Sequence, residues 1–301
     1  MNNSKFAARI REKSFVITAE FQPTLDINAS AITALAVSLG GPITAVNVGA
    51  NHYGVALSSL AAALTLAKAG VETVFQVTTR DRNRIALQSD LLGAAHLGIK
   101  NVLCLSGYHQ ALLNCPESAH VYDIDSIQLV AALKKLEKER TLLDGNPVKG
   151  DFAMLVGAVA NPYLVPLELN IMRLTKKVAA GADFIQTQAI FDTDKFAAWL
   201  AAAAKERLTE KTAILAGVLP LESAAEARAL NEKYTDFSIP ESVIARLEKA
   251  GNPDAQKKEG LAICAEIIKK IKPLKGLRGI HILSGGKEAV VPQVLAAAGL
   301  Q

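Results

Sequence analysis

Eight short β-rich runs alternate with longer helical segments along this chain, and that rhythm restricts the fold more than any single motif does. The candidate strands are 14–21 (SFVITAEF), 43–48 (ITAVNV), 72–78 (ETVFQVT), 101–105 (NVLCL), 153–158 (AMLVGA), 183–188 (DFIQTQ), 213–217 (AILAG) and 279–283 (GIHIL). Between them, Ala-, Leu- and Lys-rich segments at 56–69, 82–97, 125–138, 165–180 and 193–206 repeat apolar residues at helical spacing. The stretch 222–272 holds more than one helix, split at SIPES (238–242), with Pro240 near the start of the later one. Eight strand–helix units in 301 residues predict an α/β fold, a (β/α)8 TIM barrel forming a single domain over 1–301. The alternative is an open doubly wound sheet, which calls for a Gly-rich phosphate loop after its first strand. Here the first strand runs into EFQPTLD, which has no glycine, and the glycines of GLRGIHILSGG (276–286) have the wrong spacing. Residues 107–124 and 138–152 are the longest irregular stretches and are expected to shape the site.

Composition narrows the function classes. Half the residues (50%) are hydrophobic, enough to build a core and too many for a disordered chain. The net charge of +4, from 33 basic and 29 acidic residues, does not call for a nucleic-acid partner. Lysine runs such as KKLEKER and KKIK read as solvated helix faces. No apolar run reaches roughly 18–20 residues, so no membrane span is expected. The opening MNNSKFAARIREKSF has no apolar core of signal-peptide length, and a cytoplasmic location is expected. Cys104, Cys115 and Cys264 are odd in number and form no CxxC pair, which argues against a disulfide framework and a tetrahedral zinc site. Cys104 lies in an apolar strand and reads as core.

In a barrel of this kind the chemistry sits at the C-terminal strand ends, so the polar residues there are the candidates. Gln186 and Gln188 fall on one face of an otherwise apolar strand. Their amides offer donors and acceptors to a planar heterocycle, or else satisfy loop backbone. Glu20 stands between Ala19 and Phe21, before a Pro-containing turn. An apolar frame raises a carboxyl pKa and suits a general acid; the alternative is an ion pair with a nearby Lys or Arg. Strand two ends in Asn47 followed by VGAN, whose Gly49 is expected to let a ligand approach the backbone. Strand three ends in Thr78 and Thr79. Asp81 and Asn83 are expected to cap the next helix, and Arg80, Arg82 and Arg84 to face water, with one of them available to a phosphate. Ser106, Gly107, Tyr108 and His109 form a loop suited to touching a ligand, and small residues around Ala158 leave room after strand five. Lys176 and Lys177 either complement a helix dipole or meet a pyrophosphate. His281 reads as a core histidine. No Asp/Glu/His cluster suggests a metal, and no GxSxG suggests a nucleophile–base pair.

The blocks AEFQP (19–23), VNVGAN (46–51), TTRDRNR (78–84), LLGAAHLGIKNVLCLSG (91–107), AVANP (158–162), KKVAAGADFIQTQAIFD (176–192), GVLP (217–220) and GIHIL (279–283) occur in order. Together they resemble the methylenetetrahydrofolate reductase family of flavin-dependent (β/α)8 barrels. The resemblance implies reduction of 5,10-methylene-tetrahydrofolate to 5-methyl-tetrahydrofolate by hydride from reduced flavin. It implies that Glu20 is the general acid and that Gln188, with Gln186 and Tyr108, contacts the folate. FAD, with FMN or no flavin as alternatives, falls to Asn47, Thr78, Ser106, Gly107, Ala158, Lys176 and Lys177. The electron donor is NADH, NADPH or a partner protein. Gly107 is followed by Tyr108 where the family usually has Asp, and HYGVALSS (52–59) replaces an arginine-bearing arm. These departures keep two other readings open. One is a flavin-independent NAD(P)H reductase of the same substrate. The other is a pterin-binding subunit that docks with a corrinoid or iron–sulfur partner. Self-association is expected, with the apolar helix 193–204 and its Trp199 either at that interface or packed on the barrel.

Overall fold

The computed structural model describes residues 4–25, 28–234 and 238–300. Strands β1 (Val16–Phe21), β2 (Ala45–Val48), β3 (Thr73–Thr78), β4 (Asn101–Leu105), β5 (Leu155–Ala160), β6 (Phe184–Ala189), β7 (Ala213–Val218) and β8 (Leu277–Ile282) pair in parallel and close into a barrel in sequence order. The ring shuts where Thr18 of β1 stands in register with His281 of β8. Around it lie α1 (Lys5–Arg11), α2 (Ala29–Ser38), α3 (Ser59–Lys68), α4 (Arg84–His96), α5 (Ser126–Glu139), α6 (Leu167–Ala179), α7 (Thr193–Lys205), α8 (Leu208–Lys211), α9 (Ala224–Lys233), α10 (Glu241–Ala250), α11 (Pro253–Ile271) and α12 (Val291–Ala298). The eight strands and the break near Pro240 match the sequence reading, and Pro240 is the N-cap of α10. Helices α1, α2 and α12 had no counterpart in that reading. Strands β5 and β8 are each displaced by up to two residues from their expected bounds.

Local chemistry explains the helix starts. The Asn83 side chain accepts from the Ala86 N–H at α4, as expected. Asp125 and Gln128 form a reciprocal capping box at α5. Asn252 caps α11, with proline in the first turn.

Strand alternation sorts side chains into two layers. Ile17, Val46, Phe75, Val102, Cys104, Val156, Ala158, Ile185, Ile214 and Ile280 pack outward against the helices. Trp199 of α7 is fully buried in this layer, and its indole N–H donates to Asn170 Oδ1 at 3.3 Å. It therefore packs on the barrel. Inside, Val16, Ala45, Val74, Leu155, Phe184 and Ala213 form a separate apolar cluster with Phe6 of α1. The Phe6 and Phe184 rings lie 4.9 Å apart. Gly157 has no Cβ where the Phe184 ring lies, which lets β5 sit against that plug. Toward the C-terminal strand ends the same inward positions become Thr18, Glu20, Asn47, Gln76, Gln186 and His281, all buried.

Candidate active site

Glu20, Thr78, Ser106, Gly107, Tyr108, Lys177, Gln186 and Gln188 line one cavity of about 320 Å³ at the C-terminal strand ends. Leu103, Leu105, Val159 and Leu283 supply its apolar walls. Its size is at the low end of the roughly 300–1,000 Å³ usual for small-molecule sites.

Glu20 is 5% exposed. The Gln22 amide donates to its Oε1 at 2.6 Å and the Gly285 N–H to its Oε2 at 3.3 Å. Burial, reinforced by the Glu288 charge, pushes the carboxyl up to about 7 against the opposing hydrogen bonds. No basic side chain among the described residues is paired with it, so the ion-pair alternative does not hold. Gly49 also acts differently from expectation. A Cβ there would overlap the Gln22 amide, so the missing side chain makes room for Gln22 on Glu20 rather than for a ligand.

Asn47 lies beneath the cavity, fully buried, and its amide donates to Gln186 Oε1 at 2.7 Å. Gln188 follows Gln186 across a register shift in β6, and both reach the cavity. The Lys177 ammonium donates to the Val159 carbonyl on the cavity wall. Desolvation, helped by the Arg173 charge, lowers its pKa to about 8. Two candidates stand apart. Ala158 points outward into the helix-facing layer while its neighbour Val159 lines the cavity. Lys176 is exposed on the outside of α6, and of the two lysines only Lys177 turns inward.

Arg80 is the largest revision. It is 1% exposed rather than solvated. Its Nε and Nη2 donate to the two Asp81 oxygens at 2.7 and 2.9 Å. Nη2 also reaches the Asn51 carbonyl at 3.0 Å and Nη1 the Tyr108 carbonyl at 3.3 Å. Burial works against the Asp81 charge, but its Arg80, Thr78 and Asn51 hydrogen bonds prevail and hold its pKa below the usual range. Asp81 is thus a partner of Arg80 rather than a helix cap. Gly107 sits over this clamp at φ +85°, with Arg80 Cβ 3.2 Å from where its own Cβ would be. Arg82 and Arg84 pair with Asp90 and Asp123.

Tyr108 packs at 4.9 Å on Tyr234 and at 5.4 Å, edge-on, to His52. Burial and the Arg80 and Lys233 charges lower the His52 pKa to about 4. Gln22, His52 and Arg80 stand within AEFQP, HYGVALSS and TTRDRNR, but those motifs assign none of them the place it takes here, and the Ser284–Gly286 turn belongs to no motif read as a site. The paired glycines Gly285 and Gly286 are the sequence signal for that turn, and their spacing does not fit a phosphate loop.

A flavin, implied by the family resemblance, finds compatible groups here. Three carboxamides (Gln76, Gln186 and Gln188), the Ser106 hydroxyl and a lysine surround apolar walls that match a planar ring with a hydrogen-bonding edge. Among the described residues no group of three or more His, Cys, Asp or Glu is placed to hold a metal. No helix among them is long and apolar enough to cross a membrane.

Fold and cavity define the class as a parallel (β/α)8 barrel with a ligand-sized cavity at the C-terminal strand ends. The family model described as methylenetetrahydrofolate reductase matches residues 5–299, and the chain belongs to that family. A Caenorhabditis elegans protein named probable methylenetetrahydrofolate reductase (NADPH) is 22% identical over 255 residues, 83% of this chain and 36% of its own length. Methylenetetrahydrofolate reductase 2 of Saccharomyces cerevisiae is 23% identical over 235 residues, 75% of this chain and 36% of its own. This chain thus spans about a third of the length of these relatives. Among solved structures, an uncharacterized Clostridium thermocellum protein that binds two copies of 5-methyl-5,6,7,8-tetrahydrofolic acid superposes with a TM-score of 0.66. It is 14% identical and the match covers 99% of both chains, a likeness of fold.

Proposed function

We propose that this protein is an oxidoreductase converting 5,10-methylene-tetrahydrofolate to 5-methyl-tetrahydrofolate, with Glu20 as its general acid. Glu20 carries the reading: a carboxyl with a pKa of about 7 in a ligand-sized cavity keeps a transferable proton near neutral pH. The proton passes to N10 as its bond to the bridging carbon breaks. The carbon stays on N5 and becomes a methyl group when hydride arrives. Gln188 binds the pterin edge through its amide donor and acceptor, and Gln186, whose N–H groups go to Thr18 and Asn47, offers only its carbonyl oxygen. When bound, a flavin supplies the hydride, and Thr78, Ser106, Gly107 and Lys177 hold it, with Asn47 supporting Gln186 from below. Tyr108 offers a phenol rather than a carboxylate, so it stacks on a ring and brings no negative charge to the reacting carbon.

Tyr108 in place of the family's usual aspartate also favours a second reading, in which a nicotinamide delivers hydride directly. One preparation tests both. The flavin reading expects a yellow protein, bleached by a donor and reoxidised by 5,10-methylene-tetrahydrofolate. A colourless preparation that oxidises NADH in step with 5-methyl-tetrahydrofolate formation selects the second reading. A preparation that neither turns over nor binds the folate overturns the assignment.

A further inference from the structure

Two separate segments hold the Glu20 carboxyl. Just after β1, the Gln22 amide donates to Oε1 at 2.6 Å. After β8, the Gly285 N–H donates to Oε2 at 3.3 Å. Gly285 and Gly286 have φ of +60° and +82°, so this turn depends on residues without a Cβ. A single carboxylate oxygen joins the two segments. Glu288 is half-buried at the start of the helical turn Glu288–Val290. Its Oε1 accepts both the Gln22 backbone N–H at 2.9 Å and the Ser284 hydroxyl at 3.3 Å. The buried Ser284 Oγ accepts in turn from the Gly286 N–H at 3.2 Å, which closes the turn. Beside Glu288, the Lys287 ammonium lies 2.7 Å from Glu222 and 2.8 Å from Glu226, which fastens the same turn to the start of α9.

We infer that Glu288 is a positioning residue for the general acid: through Oε1 it fixes both arms that hold Glu20, so the carboxyl is presented in one orientation before substrate arrives. Hydrogen bonds to an ionised carboxylate are about twice as strong as neutral ones, which suits a brace between distant segments. Glu288 stands outside the cavity lining and acts through these arms. Its charge has a second effect. It favours the protonated form of Glu20, whereas the donors from Gln22, Ser284 and Gly285 favour the ionised form. Other titratable groups on the neighbouring elements differ in where they change state. Desolvation keeps His281 of β8 neutral, with a pKa of about 3, and lowers His52 to about 4. Burial and the Glu20 charge raise the Tyr53 phenol on the loop after β2. Lys177 of α6 changes state at about 8. A Glu288 substitution leaves all of these in place, so a displaced basic limb reports Glu20. The inference deepens the proposed function and rests on it for the role of Glu20 as proton donor.

Two substitutions separate this role from simple packing of the turn. Glu288→Gln keeps an acceptor oxygen for Gln22 and Ser284 but loses the charge. Glu288→Ala loses both. In steady-state turnover of 5,10-methylene-tetrahydrofolate, Glu288→Ala should lower kcat about 10- to 100-fold and change KM by about threefold or less, the pattern of a misplaced catalytic group. Glu288→Gln should keep most of the kcat that Glu288→Ala loses. Its basic limb should move to lower pH by about half a pH unit or more, because a like charge beside Glu20 has gone. A limb that stays in place or rises in Glu288→Gln overturns the inference, as does wild-type kcat in Glu288→Ala. Thermal melts show whether each variant is folded, and Glu288→Gln decides alone where Glu288→Ala is not. If the wild type does not turn over the substrate, the proposed function fails instead, and the ligand-free protein decides the inference. Carbon-13 NMR of glutamate carboxyls, with Glu20 assigned by its loss in Glu20→Gln, should give a midpoint of about 7 in wild type and a lower one in Glu288→Gln. An equal or higher midpoint in Glu288→Gln overturns it.

Discussion

At the residue scale, Glu20 ties protonation to both activity and stability. Its pKa of about 7 means the acid form falls away as pH rises through neutrality, so kcat should decline on the basic side of about pH 7. Glu20→Gln should lower kcat by about 10²- to 10⁴-fold with little change in folate affinity, and should abolish that basic limb. Stability should move the other way. The folded pKa lies above the ordinary 4.5, so between these values the folded chain keeps a proton that the unfolded chain releases. Stability is complete below about 4.5, declines as pH rises, and is lower by about 3 kcal/mol once pH exceeds about 7. Glu20→Gln removes that penalty. Its melting temperature relative to wild type should rise across this window and then level off, and a flat difference would show that the carboxyl is not buried as described. The candidate residues that went astray at this scale did so for a physical reason. Both faces of a barrel strand are buried, so the run LVGAVA in β5 has no polar alternation to reveal that Val159 rather than Ala158 turns inward. Lys176 and Lys177 differ by about 100° around α6, and only the packing of that helix selects one. Arg80 is buried because the adjacent Asp81 and two carbonyls from separate loops meet it, and no local pattern records those two distant carbonyls.

At the scale of elements, strands and most helices were legible because period and punctuation act locally. Asn83, Asp125 and Asn252 each mark a helix start through a side-chain cap. Helix α11 shows where local preference yields to packing. Gly260 sits within this 19-residue helix, where glycine is destabilising by about 1 kcal/mol relative to alanine. A Cβ at Gly260 would collide with the Leu221 carbonyl, which is backbone and cannot rotate away. The glycine therefore lets α11 lie against the segment after β7, and α11 in turn packs Ile263, Ile267, Ile268 and Ile271 into the core. Gly260→Ala should destabilise the protein by about 1–3 kcal/mol despite the gain in helix propensity. A urea titration monitored by the far-ultraviolet signal measures this, and a stabilised variant would mean that α11 does not approach so closely. Folate affinity should stay unchanged, because Gly260 lies outside the cavity lining.

Over the whole molecule, the barrel interior runs from an apolar plug to a polar mouth. Phe6, Val16, Val74, Leu155 and Phe184 fill one end, and Glu20, Gln186, Gln188 and His281 occupy the other. The closed ring was legible from the eightfold rhythm, but this gradient was not. It depends on strand stagger and on α1, a seven-residue helix too short to announce itself by periodicity. Its N-cap Ser4 also donates to Asn101 Oδ1 of β4 at 2.8 Å, and the Asn101 amide donates to the Thr73 carbonyl of β3 at 2.9 Å, so α1 is tied to two strands at the plugged end. Plug and mouth then carry separable duties, one of stability and one of ligand binding. Phe6→Ala removes a fully buried ring from the plug and should reduce unfolding free energy by about 3–5 kcal/mol. Under native conditions the surviving folded protein should bind 5-methyl-tetrahydrofolate within about twofold of wild type, since distant sites act nearly independently. Parallel urea denaturation and calorimetric titration distinguish the two effects. A large loss of affinity in folded Phe6→Ala would show that plug and mouth form one mechanical unit, because strand register set at the plug would then govern how the amides and the acid meet at the mouth.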